Sequence, residues 1–291
     1  MDTKKILFLG DITGRHGRNA VKSFLELHKN EYDFVIANIE NASHGFGLTK
    51  KNYEELSNAG IQCMTSGNHI WDKKDIYEYI DEADNLIRPI NYPSGTKGQG
   101  ANVFEVKGQK VGVINALGRV FMPPIDSPWQ VVTEKIEELK SQGVKHIIVD
   151  FHAEATAEKI CFSRYLADCY NNEEASLVKG FFGTHTHVQT ADEVIYKGMA
   201  YITDAGFCGA KDGVIGMDYN TSLKRLSTSL PERYEGKRFY HISTDEAGSS
   251  GFSLSSTPSG SSGLSPSSAP SGSSGLSPFI SAGLPPSIGA A

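Results

Sequence analysis

Cysteine is scarce in this chain of 291 residues, and the little there is has neither disulfide nor metal-clip spacing. Cys63, Cys161, Cys169 and Cys208 form no Cys-x-x-Cys and sit in apolar or helical surroundings, which predicts buried free thiols. No apolar run approaches the ~20 residues that span a bilayer, which excludes a transmembrane helix and a membrane partner. Met1-Asp2-Thr3-Lys4-Lys5 leads directly into a strand pattern rather than a signal-peptide core, so a cytoplasmic location is expected. A basic surplus is missing too. The net charge of −6 excludes a general nucleic-acid surface and predicts no stable nucleic-acid partner, while leaving room for a nucleotide-sized ligand. After Glu246 charge disappears altogether, and Pro258-Ser259-Gly260-Ser261-Ser262-Gly263-Leu264-Ser265-Pro266 recurs unchanged over 270–278. This Ser/Gly/Pro-rich stretch, 246–291, is expected to be a disordered tail on one domain spanning 1–245.

The composition of that domain supports a sizeable core: the chain is 39% hydrophobic and 21% charged. Nearly continuous apolar runs at 4–10, 33–37, 61–65, 145–151 and 177–182 read as buried strands. Helical periodicity appears at 18–29, 50–59, 72–83, 130–141 and 156–169, with Thr49 as a cap. Lys107-Gly108-Gln109 and Lys197-Gly198 turn two hairpins, and the three prolines of 118–129 mark a loop. Strands alternating with helices and then joined by hairpins predict a layered α/β fold with a mixed sheet or two packed sheets.

Five of the strand-like runs end in residues that bind metals. Asp11, Glu40 with Asn41, Asn68 with His69, His152, and His185 with His187 all follow such runs. In open α/β sheets the carboxyl ends of strands converge on one crevice, so five endings predict one site. His185 and His187 stand at i and i+2, and on an extended segment they would face the same way. Two carboxylates, four imidazoles and two amides exceed one tetrahedral zinc, and suit two ions sharing a carboxylate. Such an N/O donor set is compatible with iron, manganese, zinc or cobalt. A two-metal centre activates water and clamps an in-line displacement at phosphorus, which makes phosphoester hydrolysis the expected reaction.

Gly10-Asp11, Gly67-Asn68-His69, His152 and Gly183-Thr184-His185-Thr186-His187 resemble, in that order, the signature of calcineurin-like metallophosphoesterases. Asn38-Ile39-Glu40-Asn41-Ala42, the run from Asp150 to Lys159, Gly183 to Asp192 and Tyr201-Ile202-Thr203-Asp204 are similar to its YmdB-like subfamily, over about residues 4–235. Asp-x-His, usual after the first strand in the superfamily, is Asp11-Ile12-Thr13 here, and the bridging aspartate is Glu40. The resemblance implies an α/β/β/α sandwich of mixed sheets flanked by helices. It also implies two divalent ions, iron or manganese, with Asp11, Glu40 and His187 on one and Glu40, Asn68, His152 and His185 on the other. Asn41 is then a further ligand or phosphate contact, and His69 the acid that protonates the leaving oxygen. The implied activity is hydrolysis of cyclic nucleotides, 2′,3′-cyclic forms foremost, through a metal-bridging hydroxide. A phosphomonoesterase and a regulatory metal- and nucleotide-binding module with little turnover are the alternatives, and a homo-oligomer is compatible with either. Glu154 and Glu158 are candidates to orient His152. His44 and Arg15 or Arg18 are candidates for substrate contact, and Asp192 and Asp204 match subfamily motifs without a role of their own.

Overall fold

The computed structural model describes residues 4–172 and 175–231, together with the backbone of four short strands beyond them. The first run of elements is β1 (Lys5–Leu9), β2 (Asp11–Ile12), α1 (Gly14–His28), β3 (Phe34–Asn38), α2 (Lys50–Ala59), β4 (Cys63–Thr65) and α3 (Ile76–Tyr79). The second comprises β5 (Ala101–Val106), β6 (Gln109–Leu117), α4 (Pro128–Ser141), β7 (His146–His152), α5 (Thr156–Tyr170) and β8 (Val178–Thr184). It closes with β9 (Val194–Tyr196), β10 (Met199–Ile202), β11 (Phe207–Cys208) and α6 (Tyr219–Thr228). Strands β1, β3 and β4 pair in parallel in one sheet. The other sheet has the order β5-β6-β7-β8-β10-β9, parallel at its centre with an antiparallel hairpin strand at each edge. β2 and β11 form a small parallel pair of their own.

Side-chain alternation explains the layering. In β1, Ile6 and Phe8 join Phe34, Ile36, Val113, Ile148 and Phe182 in an apolar layer between the sheets. Leu7 and Leu9 point the other way and meet Val21, Phe24 and Leu25 of α1 and Leu56 of α2. On the far side Val149, Phe151 and Phe181 pack against Val132 and Ile136 of α4 and Phe162 and Leu166 of α5. Both sheets are therefore covered on both faces, which is why their strands read as continuous apolar runs. The expected α/β/β/α sandwich is the observed architecture. Thr49 caps α2 by accepting from the Asn52 amide at 3.4 Å, and Gly60, at φ 109°, ends it.

Three expectations need correction. The helix expected over 72–83 shrinks to Ile76–Tyr79. Its polar side chains serve neighbouring backbone instead: Asp75 accepts from the amide of Lys50, at the start of α2, at 2.9 Å, and Asp81 from the Gly98 amide at 2.7 Å. Helix α1 starts four residues early, at Gly14. Of the cysteines, all free, only Cys63 is fully enclosed, while Cys161 and Cys169 are exposed on α5. The expected tail, 246–291, lies mostly outside the described residues. Its described backbone consists of the strands Gly251–Ser255, Ser277–Pro278 and Ile280–Gly283, the last antiparallel to β1; His241–Thr244 precedes them. Among the described residues no helix is long and apolar enough to cross a membrane.

The layer between the sheets predicts the cost of opening it. Phe182, 2% exposed, packs against Phe8 with ring centroids 4.6 Å apart. Phe182→Ala should lower urea stability by about 3–5 kcal/mol. Leu27→Ala, on the exposed side of α1, should change it by less than about 0.5 kcal/mol.

His146 should give stability a pH dependence. Its Nε2 lies 3.0 Å from Gln109 Oε1, and among the described residues no acceptor meets its buried Nδ1. Burial, then Lys179, Lys4 and Lys145, lowers its pKa to about 4. The unfolded value is higher, ~6.5, so on acidification the unfolded chain takes up this proton first. This contribution is therefore fully present above that value and is lost as the pH falls towards about 4. Urea unfolding of His146→Gln at a series of pH values should lack this part of the decline.

Candidate metal centre

The carboxyl ends of strands from both sheets face one another, and the site is assembled there from short turns. β3 ends at Asn38, whose Oδ1 accepts from the Glu40 amide at 3.1 Å and so turns Glu40 inward. The Asn68 loop follows β4, His152 is the last residue of β7, and the segment 185–187 follows β8. Asp11 opens β2, where its register partner is Phe207 of β11. A methyl group on Gly67 would overlap Glu40 Oε2 and His152 Nε2, so only glycine lets this backbone lie against the pair.

Two groups of donors result. In the first, His152 Nε2 lies 3.0 Å from Glu40 Oε1, 3.1 Å from Asn68 Oδ1 and 3.0 Å from His185 Nδ1. In the second, His187 Nε2 lies 3.1 Å from Asn41 Oδ1 and 3.7 Å from Asp11 Oδ1. Asp11 and Glu40 are buried, and Asp11 Oδ1 has no hydrogen-bond partner among the described residues. The other oxygen of Asp11 accepts from the His185 amide at 3.1 Å. His69 flanks the first group: its amide donates to Glu40 Oε2 at 3.0 Å and its Nδ1 lies 2.9 Å from Asp72 Oδ2.

Each inward-facing imidazole is tied through its other nitrogen. His152 Nδ1 is 2.9 Å from Thr184 Oγ1, whose hydroxyl donates onward to Asp150 Oδ1 at 2.7 Å. His185 Nε2 pairs with Glu154 Oε2 at 3.2 Å, and His187 Nδ1 donates to the Ile215 carbonyl at 3.0 Å. These outer bonds select the tautomers that leave a lone pair on His152 Nε2, His185 Nδ1 and His187 Nε2, all aimed inward.

Lone pairs and carboxylate oxygens at 3 Å repel one another unless a positive charge lies among them. The protonation equilibria express the same demand. Burial alone would lower His152, but Glu40, then Asp11 and Asp150, outweigh it and raise the ring to about 9. Burial would raise Glu40, yet His152 and then His69 hold it down to about 2. His185 is lowered to about 3 by burial and by neighbouring His152. Burial raises Asp11 against the pull of His187 and His152. A divalent cation satisfies these groups better than one shared proton, and Glu40, His152 and His185 offer three ligand atoms within 4.8 Å of one another. The residues present therefore fit a metal centre.

The structure brings all eight expected site residues to this crevice, with His69 at its margin rather than among the inward-facing donors. The geometry of the histidine pair is not the expected one. His185 and His187 lie beyond the strand on left-handed backbone, at φ 104° and 61°, so a strained turn rather than strand alternation brings them together. Nor do Glu154 and Glu158 orient His152. Glu154 serves His185, and Glu158 accepts from the amides of Arg119 and Val120 at 3.0–3.2 Å.

The residues that hold the turn had no assigned role in the sequence. Asp204 Oδ2 accepts from the Thr186 amide at 3.1 Å, from the Thr186 hydroxyl at 2.8 Å and from Lys159 Nζ at 2.8 Å. Both Lys159 and Asp204 are 1% exposed. A lysine placed among the apolar residues of α5 was the available signal, since buried lysines need a partner.

Comparison with known proteins follows the same lines. A family model described as YmdB-like protein matches residues 7–243. The chain is 46% identical over 239 residues to a 2′,3′-cyclic-nucleotide 2′-phosphodiesterase of Bacillus subtilis, covering 80% of this chain and 87% of that protein. The crystal structure of a phosphatase from Mycoplasma pneumoniae superposes with a TM-score of 0.73 at 38% identity, covering 82% of this chain and 85% of that one. That of a hypothetical protein from Thermus thermophilus gives 0.75 at 36% identity, over 81% and 89%.

The Lys159–Asp204 pair yields a test of how the turn is held. Lys159→Met should cost about 3–5 kcal/mol in chemical denaturation, because Asp204 stays buried without its cation. Uptake of Mn²⁺ per folded chain, measured at low denaturant, should fall as the turn loosens.

Proposed function

The chain belongs to the YmdB-like family of calcineurin-like metallophosphoesterases, and from that premise we propose that it hydrolyses 2′,3′-cyclic nucleotides at a dinuclear metal centre. The observation that carries the reading is the inward-facing donor set, seven ligand-type side chains in two adjoining groups: Glu40, Asn68, His152 and His185 in one, and Asp11, Asn41 and His187 in the other. The Bacillus subtilis relative supports the substrate, being named a 2′,3′-cyclic-nucleotide 2′-phosphodiesterase. Asp11, Glu40, Asn41 and His187 would hold one ion, and Glu40, Asn68, His152 and His185 the other. An N/O donor set without thiolate is compatible with iron, manganese, zinc or cobalt, and the family resemblance favours iron or manganese, which we propose. Two such ions supply the positive charge that makes water nucleophilic at neutral pH and offsets the charge of the phosphodiester.

The remaining chemistry falls to the side chains. The Thr184–Asp150 relay fixes the His152 ring, and Glu154 and the Ile215 carbonyl fix His185 and His187, so the donors are positioned before substrate arrives. His69 is the proton donor to the departing ribose oxygen. Its Nδ1 is engaged by Asp72, which leaves Nε2 to carry the transferred proton. As a water oxygen bonds to phosphorus and the bond from phosphorus to the 2′-oxygen breaks, that oxygen takes the His69 proton and the ring opens to a single nucleoside 3′-monophosphate.

The test is hydrolysis of 2′,3′-cyclic AMP with added Mn²⁺, run beside Glu40→Gln and beside a chelated sample. Turnover should fall in both controls by about 10²–10³-fold at least, the scale of losing charge stabilisation at a reacting group. His69→Ala should lower kcat by about 10²–10⁴-fold on the cyclic nucleotide. The loss should be much smaller on bis-para-nitrophenyl phosphate, whose leaving group needs no proton. Two bound metals per chain with no turnover would remove the phosphodiesterase reading. An equal loss on both substrates would remove His69 from the proton-donor role.

A further inference from the structure

Beside the metal centre, between α1 and α2, lies a cavity of about 650 Å³. Arg15, Arg18 and Lys22 line it from α1, His44 and Thr49 from the loop before α2, and Lys51 and Glu55 from α2. Its four permanent cations face one carboxylate, in a chain whose net charge is −6. Glu55 is already shared between Arg18, at 2.8 Å, and Lys22. Arg15 and Lys51 are exposed, and among the described residues neither has an ion-pair partner.

Helix electrostatics makes this arrangement unfavourable for an empty surface. The first turns of α1 and α2 contain no acidic residue, and each contributes a cation to the cavity, Arg15 and Lys51. Acids are favoured at helix starts and cations there oppose the macrodipole, so the fold concentrates positive potential where it costs stability. An anion in the cavity relieves both helix ends at once.

The cavity adjoins the reacting centre. Arg18 Nη1 donates to the Ala42 carbonyl at 2.6 Å, and the Gly14 amide donates to the Asn41 carbonyl at 2.9 Å. Asn41 belongs to the donor set and Ala42 is the next residue, with Cα atoms about 3.8 Å apart. One wall of the cavity is thus one residue from a metal-site amide.

We propose that this cavity is a subsite for a second phosphate of the substrate, and that the preferred substrate is an oligoribonucleotide ending in a 2′,3′-cyclic phosphate rather than a free cyclic mononucleotide. The inference rests on the phosphodiesterase reading above. The internucleotide phosphate preceding the cyclic end occupies the cavity, held by Arg15, Lys51 and His44.

The experiment compares kcat/KM for 2′,3′-cyclic AMP with that for adenylyl-(3′→5′)-adenosine 2′,3′-cyclic phosphate, in wild type and in Arg15→Gln/Lys51→Gln. Wild type should prefer the dinucleotide by about tenfold or more, the worth of a hydrogen bond to a charged group. Its preference should weaken with salt, by about 0.7 log unit per log unit of salt for one phosphate neutralised on a single strand. In the double variant the ratio should approach one, with mononucleotide turnover as the internal reference. Equal use of both substrates by wild type overturns the proposal, and so does a preference that survives the double substitution. Inorganic phosphate at millimolar concentration separates the sources: thermal protection of wild type by phosphate without dinucleotide preference assigns the cavity to a free anion and overturns the proposal. If neither cyclic substrate is turned over, it is the phosphodiesterase reading that fails. Fluorescence titration with the linear dinucleotide 5′-phosphate pApA then tests the cavity directly, and equal affinity of wild type and variant overturns it.

Discussion

The carboxylate of Asp150 is the point on which both sheets depend. It is fully buried, and it accepts hydrogen bonds from Asn38 at the end of β3, Thr65 at the end of β4 and Thr184 at the end of β8. These residues come from both sheets, so one side chain on β7 gathers the carboxyl ends of three other strands. Burial raises Asp150 to about 6, against the opposing pull of Thr65, His152, Thr184 and Asn38. A carboxylate so placed is tolerable because each donor it meets is itself buried and in need of an acceptor. Asn38 also donates to the Ser66 carbonyl at 3.0 Å, and the Ser66 amide in turn donates to Asn115 Oδ1 at 3.2 Å, which carries the network to β6. The apolar layer between the sheets thus ends in a polar floor directly beneath the donor set.

That floor explains how a crowded group of acceptors can exist in a folded protein. Below it the side chains are satisfied, and above it Asp11, Glu40, His152 and His185 crowd together, their mutual repulsion offset mainly by the positive charge drawn onto His152. The backbone adds its own cost, since the left-handed conformations of His185 and His187 oppose folding by about 1–3 kcal/mol each. The opposing force is the buried Lys159–Asp204 pair, which grips Thr186 between the two histidines. The apolar core therefore sustains a local arrangement that is unfavourable until positive charge enters it.

Much of this was readable from the sequence because of where the apolar runs stop. Each buried strand reads as a block, so the first polar residue after it marks the crevice, and Asp11, Glu40, Asn68, His152 and His185 all stand there. The same blocks implied sheets covered on both faces, since only such strands lack alternation, whereas the choice of two packed sheets in the order α/β/β/α came from the family resemblance. The left-handed turn at His185 was not readable, because two histidines at i and i+2 look the same on a strand and on a turn. Nor were the partners of Asp204 and Asp150, because an acidic residue in a one-dimensional pattern shows neither its burial nor its donors. The 72–83 segment failed for a related reason. Its helical periodicity is real, but Asp75 and Asp81 are committed to backbone amides elsewhere, and those bonds replaced helical turns.

The exposed thiols of α5 set a chemical boundary on the molecule. Cys161 and Cys169 are eight residues apart on one helix, a rise of about 12 Å, too far for their sulfurs to join. Burial holds the thiols of Cys63 and Cys208 up, the latter to about 12, which keeps both protonated and sluggish as nucleophiles. Oxidation of this chain therefore cannot close an internal staple between the two surface sulfurs. A disulfide at either surface sulfur would have to be made to another molecule, and the oxygen- and nitrogen-lined crevice would contribute no sulfur to it.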